Sequence, residues 1–172
     1  MKMRKTFLLS AIVALGFSLT ANAAPAPKLA LTDISQLPIV EMHVYDEEAN
    51  ADKQVDAAFA KAKKAHKRVL LDLGGNWCPD CVVLHNLMLL PDVQKFVDAH
   101  YEVVLVDIGR YDRNAQIAAR FGYTKKLEGA PTILVVDPKS AKVINADNIY
   151  ALRTARDWKP QALADYLARY TE

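Results

Sequence analysis

The sequence predicts an α/β fold in which a central mixed β-sheet is flanked by helices on both faces. Three observations lead there. Apolar runs of strand length at residues 68–73 and 101–108 alternate with segments whose apolar residues recur at helical spacing. Residues 132–136 and 142–149 are joined by the turn residues Asp137-Pro138-Lys139-Ser140, so the last two strands pair antiparallel. A chain of 172 residues, 52% of them apolar, holds material for one well-buried core.

The elements follow in order. Residues 1–23 read as a secretory signal peptide: Lys2, Arg4 and Lys5, an apolar run over 7–19, then Ala21-Asn22-Ala23, small residues suited to a signal peptidase. That run is too short to cross a ~30 Å hydrocarbon core as a helix, so no stable membrane anchor is expected. Without the segment, 19 Lys and Arg face 20 Asp and Glu, and the charge balance gives no footprint for nucleic acid. Residues 24–38, opening with Ala24-Pro25-Ala26-Pro27, read as a linker. Residues 39–45 alternate imperfectly and are expected to form a first strand. Val55, Phe59 and Ala62 give residues 51–66 the stripe of an amphipathic helix.

The strand at 68–73 is stopped by Gly74-Gly75. Pro79 opens a helix to about residue 90 that is apolar nearly all round and so buried. Pro91 breaks it, and Val93, Phe96 and Val97 continue a helical face to about residue 99. A strand at 101–108, a helix around 114–121 and strands at 132–136 and 142–149 come next. Leu163, Tyr166, Leu167 and Tyr170 mark a closing helix.

The two cysteines stand in Trp77-Cys78-Pro79-Asp80-Cys81, at the junction between a buried strand and a helix. Asp72 lies six residues earlier on that strand, and Ala130-Pro131-Thr132 precedes the antiparallel pair. In these features the chain resembles the thioredoxin-like superfamily over residues 39–170, and residues 39–172 are expected to be a thioredoxin-like domain. The resemblance implies a thiol–disulfide oxidoreductase that needs no cofactor and no metal. Cys78 would be the nucleophile, Cys81 the resolving thiol and Asp72 the buried base. Trp77, Ala130 and Pro131 would bind substrate, with Pro131 cis against the disulfide. Two departures stand out: Leu105 occupies the position where thioredoxins carry a Lys near the buried Asp, and the stretch from Gly122 to Pro131 is about four residues longer than the compact family loop, with Lys125-Lys126 in the insert.

Chemistry supports the same residues. Cys78 sits where unpaired helix N–H groups favour a thiolate, by ~0.3–1 kcal/mol and up to ~2 when partly buried. An exposed Asp80 at ~7 Å opposes this by on the order of 0.6 kcal/mol in water. Cys78 is therefore expected to face the helix end and solvent as a moderately activated nucleophile. Cys81, one turn further in, has to lose its proton before it can attack, and a desolvated Asp72 accepts protons near neutral pH.

The expected partners are exported proteins bearing disulfides or thiols, met in the periplasm or the medium, and a membrane protein that donates electrons. Asp80 disfavours the thiolate, so a reductant is expected over an oxidase. Competing readings are a structural staple, a metal site with His85 as third ligand, and a binding or assembly factor whose dithiol is idle. A bridge closing two residues constrains little of the unfolded chain, and zinc wants a fourth ligand that the spacing does not supply.

Overall fold

The structure is a computed structural model that describes residues 23–171. The signal peptide read at 1–23 lies outside the described residues but for its last. The elements are α1 (Ala51–Ala65), β1 (Arg68–Gly74), α2 (Pro79–Met88), α3 (Pro91–His100), β2 (Tyr101–Asp107), α4 (Ala115–Ala119), β3 (Thr132–Val136) and α5 (Pro160–Ala168), with 3₁₀ turns at Ile34–Gln36, Ala146–Asn148 and Ala151–Asp157.

The central strand β1 pairs parallel with β2 and antiparallel with β3, giving the mixed order β2-β1-β3. Two apolar clusters cover its faces. Val69, Leu71 and Leu73 join Val55 and Ala62 of α1 and Ile117 of α4, while Leu70 joins Leu84 and Leu87 of α2, Val93 of α3 and Leu163 of α5. Alternation along a strand sorts these side chains to opposite faces. It also puts Asp72 on the face of Leu70 and Gly74, at the end of the strand that feeds the cysteine loop.

Helix ends fall where local chemistry dictates. The Asn50 side chain accepts from Lys53 N at 2.9 Å to cap α1, and His66 ends it in a left-handed conformation at φ 56°. Pro79 and Pro91 each occupy a first-turn position, where the missing N–H costs nothing.

Two expected strands are absent. Residues 39–45 form a strap instead, with Ile39, Val40 and Met42 exposed and Val44 and Tyr45 buried. Side chains take over its backbone groups: Asn86 Oδ1 accepts from Val40 N and Glu41 N at 2.7 and 2.9 Å, and Asn76 Oδ1 accepts from Tyr45 N at 2.8 Å. A strap served in this way has no need of a neighbouring strand.

The return at 142–149 shrinks to one bridge between Val136 and Val143. Asn145, 2% exposed, inserts its amide into the ladder, accepting from Val135 N and donating to Ile133 O, both at 2.8 Å. The chain then coils through Ala146–Asn148. Residues 24–38, read as a linker, lie along α5: Leu29 N donates to Gln161 Oε1 at 2.9 Å, and Leu37 is buried with Leu84 and Leu163.

Candidate active site

The loop after β1 is built by close approach. A Cβ on Gly74 would sit 2.7 Å from Cys81 Sγ and closer still to Tyr45 Oη, and one on Gly75 would sit 2.6 Å from Trp77 Nε1. Only glycine fits at either place. Trp77 turns inward, donating from Nε1 to Gly109 O at 2.5 Å and facing Tyr111 at 5.6 Å between ring centroids. The Arg110 guanidinium lies 5.1 Å from the Trp77 ring centroid. Trp77 thus anchors the 109–111 loop.

Cys78 and Cys81 are joined in a disulfide at the N-terminus of α2. Cys78 is the N-cap residue, and its Sγ accepts from Cys81 N at 3.1 Å. This is the backbone donor that would meet a thiolate after reduction. Solvent access is smaller than the sequence suggests, because Cys78 is 3% exposed and Cys81 fully buried. Ala130 O lies 3.4 Å from Cys78 Sγ, and the Ala130–Pro131 peptide is cis. Chain segments 52 residues apart thereby meet at one sulfur.

Asp72 is fully buried, and desolvation pushes its carboxyl up from 3.8 to about 7, against a hydrogen bond that lowers it. The donor of that bond is Tyr45, whose hydroxyl gives its proton to Asp72 Oδ1 at 2.8 Å, while Oδ2 has no partner. Burial first, then the Asp72 charge, pushes the Tyr45 phenol well above its ordinary range, so Tyr45 stays protonated as a donor. Leu105 stands directly beside Asp72 in the parallel register, and among the described residues no cation lies within ion-pair distance of Asp72.

Sequence reasoning missed Tyr45. The imperfect alternation of 39–45 signalled a buried residue there but not the direction of its hydroxyl. It also missed Asn76, which fastens Tyr45 from both sides by accepting from its N–H and donating to its carbonyl at 2.9 Å.

Asp80 requires a correction. It is 8% exposed, and its Oδ1 accepts from both the backbone N–H and Nε of Arg156, at 2.9 and 3.2 Å. The lone exposed anion expected beside Cys78 is instead half of an ion pair that ties α2 to the Ala151–Asp157 turn. The paired guanidinium carries the opposite charge and so opposes its field.

The 123–128 loop reaches the site through Tyr111, over whose ring Lys126 Nζ lies at 5.5 Å from the centroid. On its other side a cavity of about 880 Å³ runs between this loop and Asn148, Tyr150 and Arg153.

Three comparisons bear on this geometry. Residues 50–138 match the family model described as thioredoxin-like. The fold superposes on the crystal structure of a disulphide isomerase from Xylella fastidiosa Temecula1 with TM-score 0.69 and 35% identity, covering 76% of this chain and 98% of that one. A thioredoxin from Alicyclobacillus acidocaldarius subsp. acidocaldarius is 30% identical over 80 residues, which is 46% of this chain and 68% of that protein. The matched span holds Asp72, Trp77, both cysteines, Ala130 and Pro131, whereas Tyr45 lies ahead of it.

Proposed function

The chain belongs to the thioredoxin-like family, and on that premise we propose that it is an exported thiol–disulfide oxidoreductase that donates electrons to disulfides in extended protein segments. The observation that carries this reading is the Cys78–Cys81 pair at the start of α2 with Ala130 O 3.4 Å from the Cys78 sulfur. The reduced enzyme attacks a substrate disulfide with the Cys78 thiolate. One substrate sulfur leaves, and a mixed disulfide remains. Cys81, deprotonated by Asp72, attacks the Cys78 sulfur, restores the enzyme disulfide and releases the second substrate thiol.

Substrate backbone would align beside Ala130, ahead of β3, giving affinity without sequence specificity. Export rests on residues 1–23 and puts the enzyme in the periplasm or the medium, where disulfides persist. A membrane partner would then resupply electrons. No helix of the described residues is long and apolar enough to cross a membrane.

The electron-donor direction rests on the surroundings of Cys78. The Pro79-Asp80 dipeptide brings no cation, and Arg156 is engaged by Asp80. The thiolate is therefore stabilised by the helix end alone, and a weakly stabilised reduced form makes a reducing couple. Similarity to a protein titled disulphide isomerase favours shuffling as a second reading. Equilibration with glutathione buffers, followed by the mass of the alkylated protein, separates the two. We expect a potential near the thioredoxin value of about −270 mV, and a value near about −180 mV, typical of isomerases, would overturn the electron-donor direction.

A further inference from the structure

We infer that Tyr45 is a positioning residue for the resolving step: its hydroxyl, delivered by the 39–45 strap, holds the Asp72 carboxyl in place to take the Cys81 proton at Oδ2. The inference rests on the function proposed above and adds to it a residue outside the span that matches the family model.

The geometry is closed on every side. Tyr45 is 3% exposed and its Oη is 2.8 Å from Asp72 Oδ1. The same hydroxyl and Cys81 Sγ both crowd the point where a Cβ of Gly74 would stand, so the hydroxyl bound to Asp72 and the Cys81 sulfur meet at one buried point beside the strand end. Asn76, two residues before Cys78, holds the Tyr45 backbone by both its N–H and its carbonyl. Asn86 of α2, 1% exposed, accepts from Val40 N and Glu41 N, so the strap is fastened to the helix that carries Cys81. One buried oxygen of Asp72 is satisfied by Tyr45, and the other is without a partner, open to a proton.

The groups that could tune Asp72 are few. The strap contributes Tyr45, and α2 contributes Cys81 with Cys78 behind it. From β2 come the apolar Leu105 and, two residues on, Asp107, which is paired with Arg113 at 3.3 Å; β3 sets Ile133 opposite Asp72. Tyr45 is thus the one side chain among these that hydrogen-bonds the carboxyl.

In the step itself the Cys81 S–H proton passes to Asp72 Oδ2, and the thiolate attacks the Cys78 sulfur. The Cys78–Cys81 bond forms as the bond to the substrate sulfur breaks, and the substrate thiolate takes a proton from solvent. Two electrons have moved from the dithiol to the substrate. A donor to Oδ1 favours the charged carboxylate, so it sets the pH at which half of the enzyme carries a ready base.

The test uses the full mature chain and 5,5′-dithiobis(2-nitrobenzoate). Reduced protein releases one thionitrobenzoate when Cys78 attacks and a second when Cys81 resolves the mixed disulfide. In the wild type the second release should rise with a midpoint near pH 7, where the carboxyl ionises. Tyr45→Phe keeps the ring and removes the hydroxyl. We expect its midpoint to move up by about one pH unit, with resolution about fivefold slower at pH 7 and equal to wild type above pH 9. In an Asp72→Asn background the same change should have no further effect on that rate. An unchanged midpoint, or a loss of equal size at every pH, would overturn the inference.

The carboxyl itself is read separately, from the ¹³C shift of Asp72 in the oxidised protein, and it should titrate higher in Tyr45→Phe whether or not the protein turns over. A wild type that never releases the second thionitrobenzoate would sink the proposed function. An Asp72 titration that Tyr45→Phe leaves in place would sink this inference alone.

Discussion

Cys81→Ser is expected to accumulate mixed disulfides between Cys78 and exported client proteins, whereas Cys78→Ser should accumulate none and lose reductase activity by on the order of 10³-fold or more. The asymmetry follows from where each sulfur sits. Cys78 caps α2 and has the Cys81 N–H 3.1 Å from its sulfur, so its thiolate forms first. Cys81 is fully buried, and in the proposed mechanism its proton leaves when Asp72 takes it. Removing Cys81 therefore strands the first intermediate, and removing Cys78 prevents it. Non-reducing electrophoresis of acid-quenched cells reads the outcome. Equal trapping by the two variants would show that the roles are reversed or shared.

Asp72→Asn is the second large effect, and it acts on stability and on rate in opposite directions. Folding pushes the Asp72 carboxyl up from 3.8 to about 7, so between those values the native state holds a proton that the unfolded chain has lost. Stability is therefore complete below pH 4 and falls as pH rises towards 7, by at most roughly 4 kcal/mol at about 1.4 kcal/mol for each pH unit of the rise. The Asn variant has no such charge to bury. Urea unfolding of the disulfide form should show variant and wild type equal within about 1 kcal/mol at pH 4 and the variant more stable by several kcal/mol at pH 8. Resolution of mixed disulfides should slow at the same time, because a group that can accept a proton has been exchanged for one that cannot. A difference between the two proteins that does not change with pH would contradict a buried, raised carboxyl.

Much of this site was legible in the sequence. Gly74-Gly75 and Pro79 bracket the cysteine loop because a strand has to stop and a helix has to start within a few residues, and both signals are local. The strand Thr132–Val136 was equally plain, since apolar residues fill it from Ile133 onward and turn residues follow. What the sequence hid was the work of side chains that act on distant backbone. Asn86 serves residues 40 and 41, some 45 positions away, and turns an expected strand into a strap. Asn145 does the same within its own return, filling the ladder with an amide and letting the chain coil. Asp80 was misread for a related reason: its partner, Arg156, stands 76 residues further on, and no local pattern predicts that pairing. Leu105 in place of a lysine did announce that Asp72 would lack a cation, but nothing nearby in sequence indicated that a tyrosine hydroxyl would supply its hydrogen bond.

The central claim is that Cys78 and Cys81 form a working redox couple, as opposed to a staple in a protein that merely holds its clients. Reduction of insulin by dithiothreitol, followed as turbidity from the freed B chain, tests it directly with wild type and Cys78→Ser at equal concentration. A catalytic dithiol predicts that catalytic amounts of wild type bring precipitation forward severalfold while Cys78→Ser matches the uncatalysed reaction. Identical curves for wild type, variant and buffer, from protein shown to carry the Cys78–Cys81 disulfide, would contradict the claim.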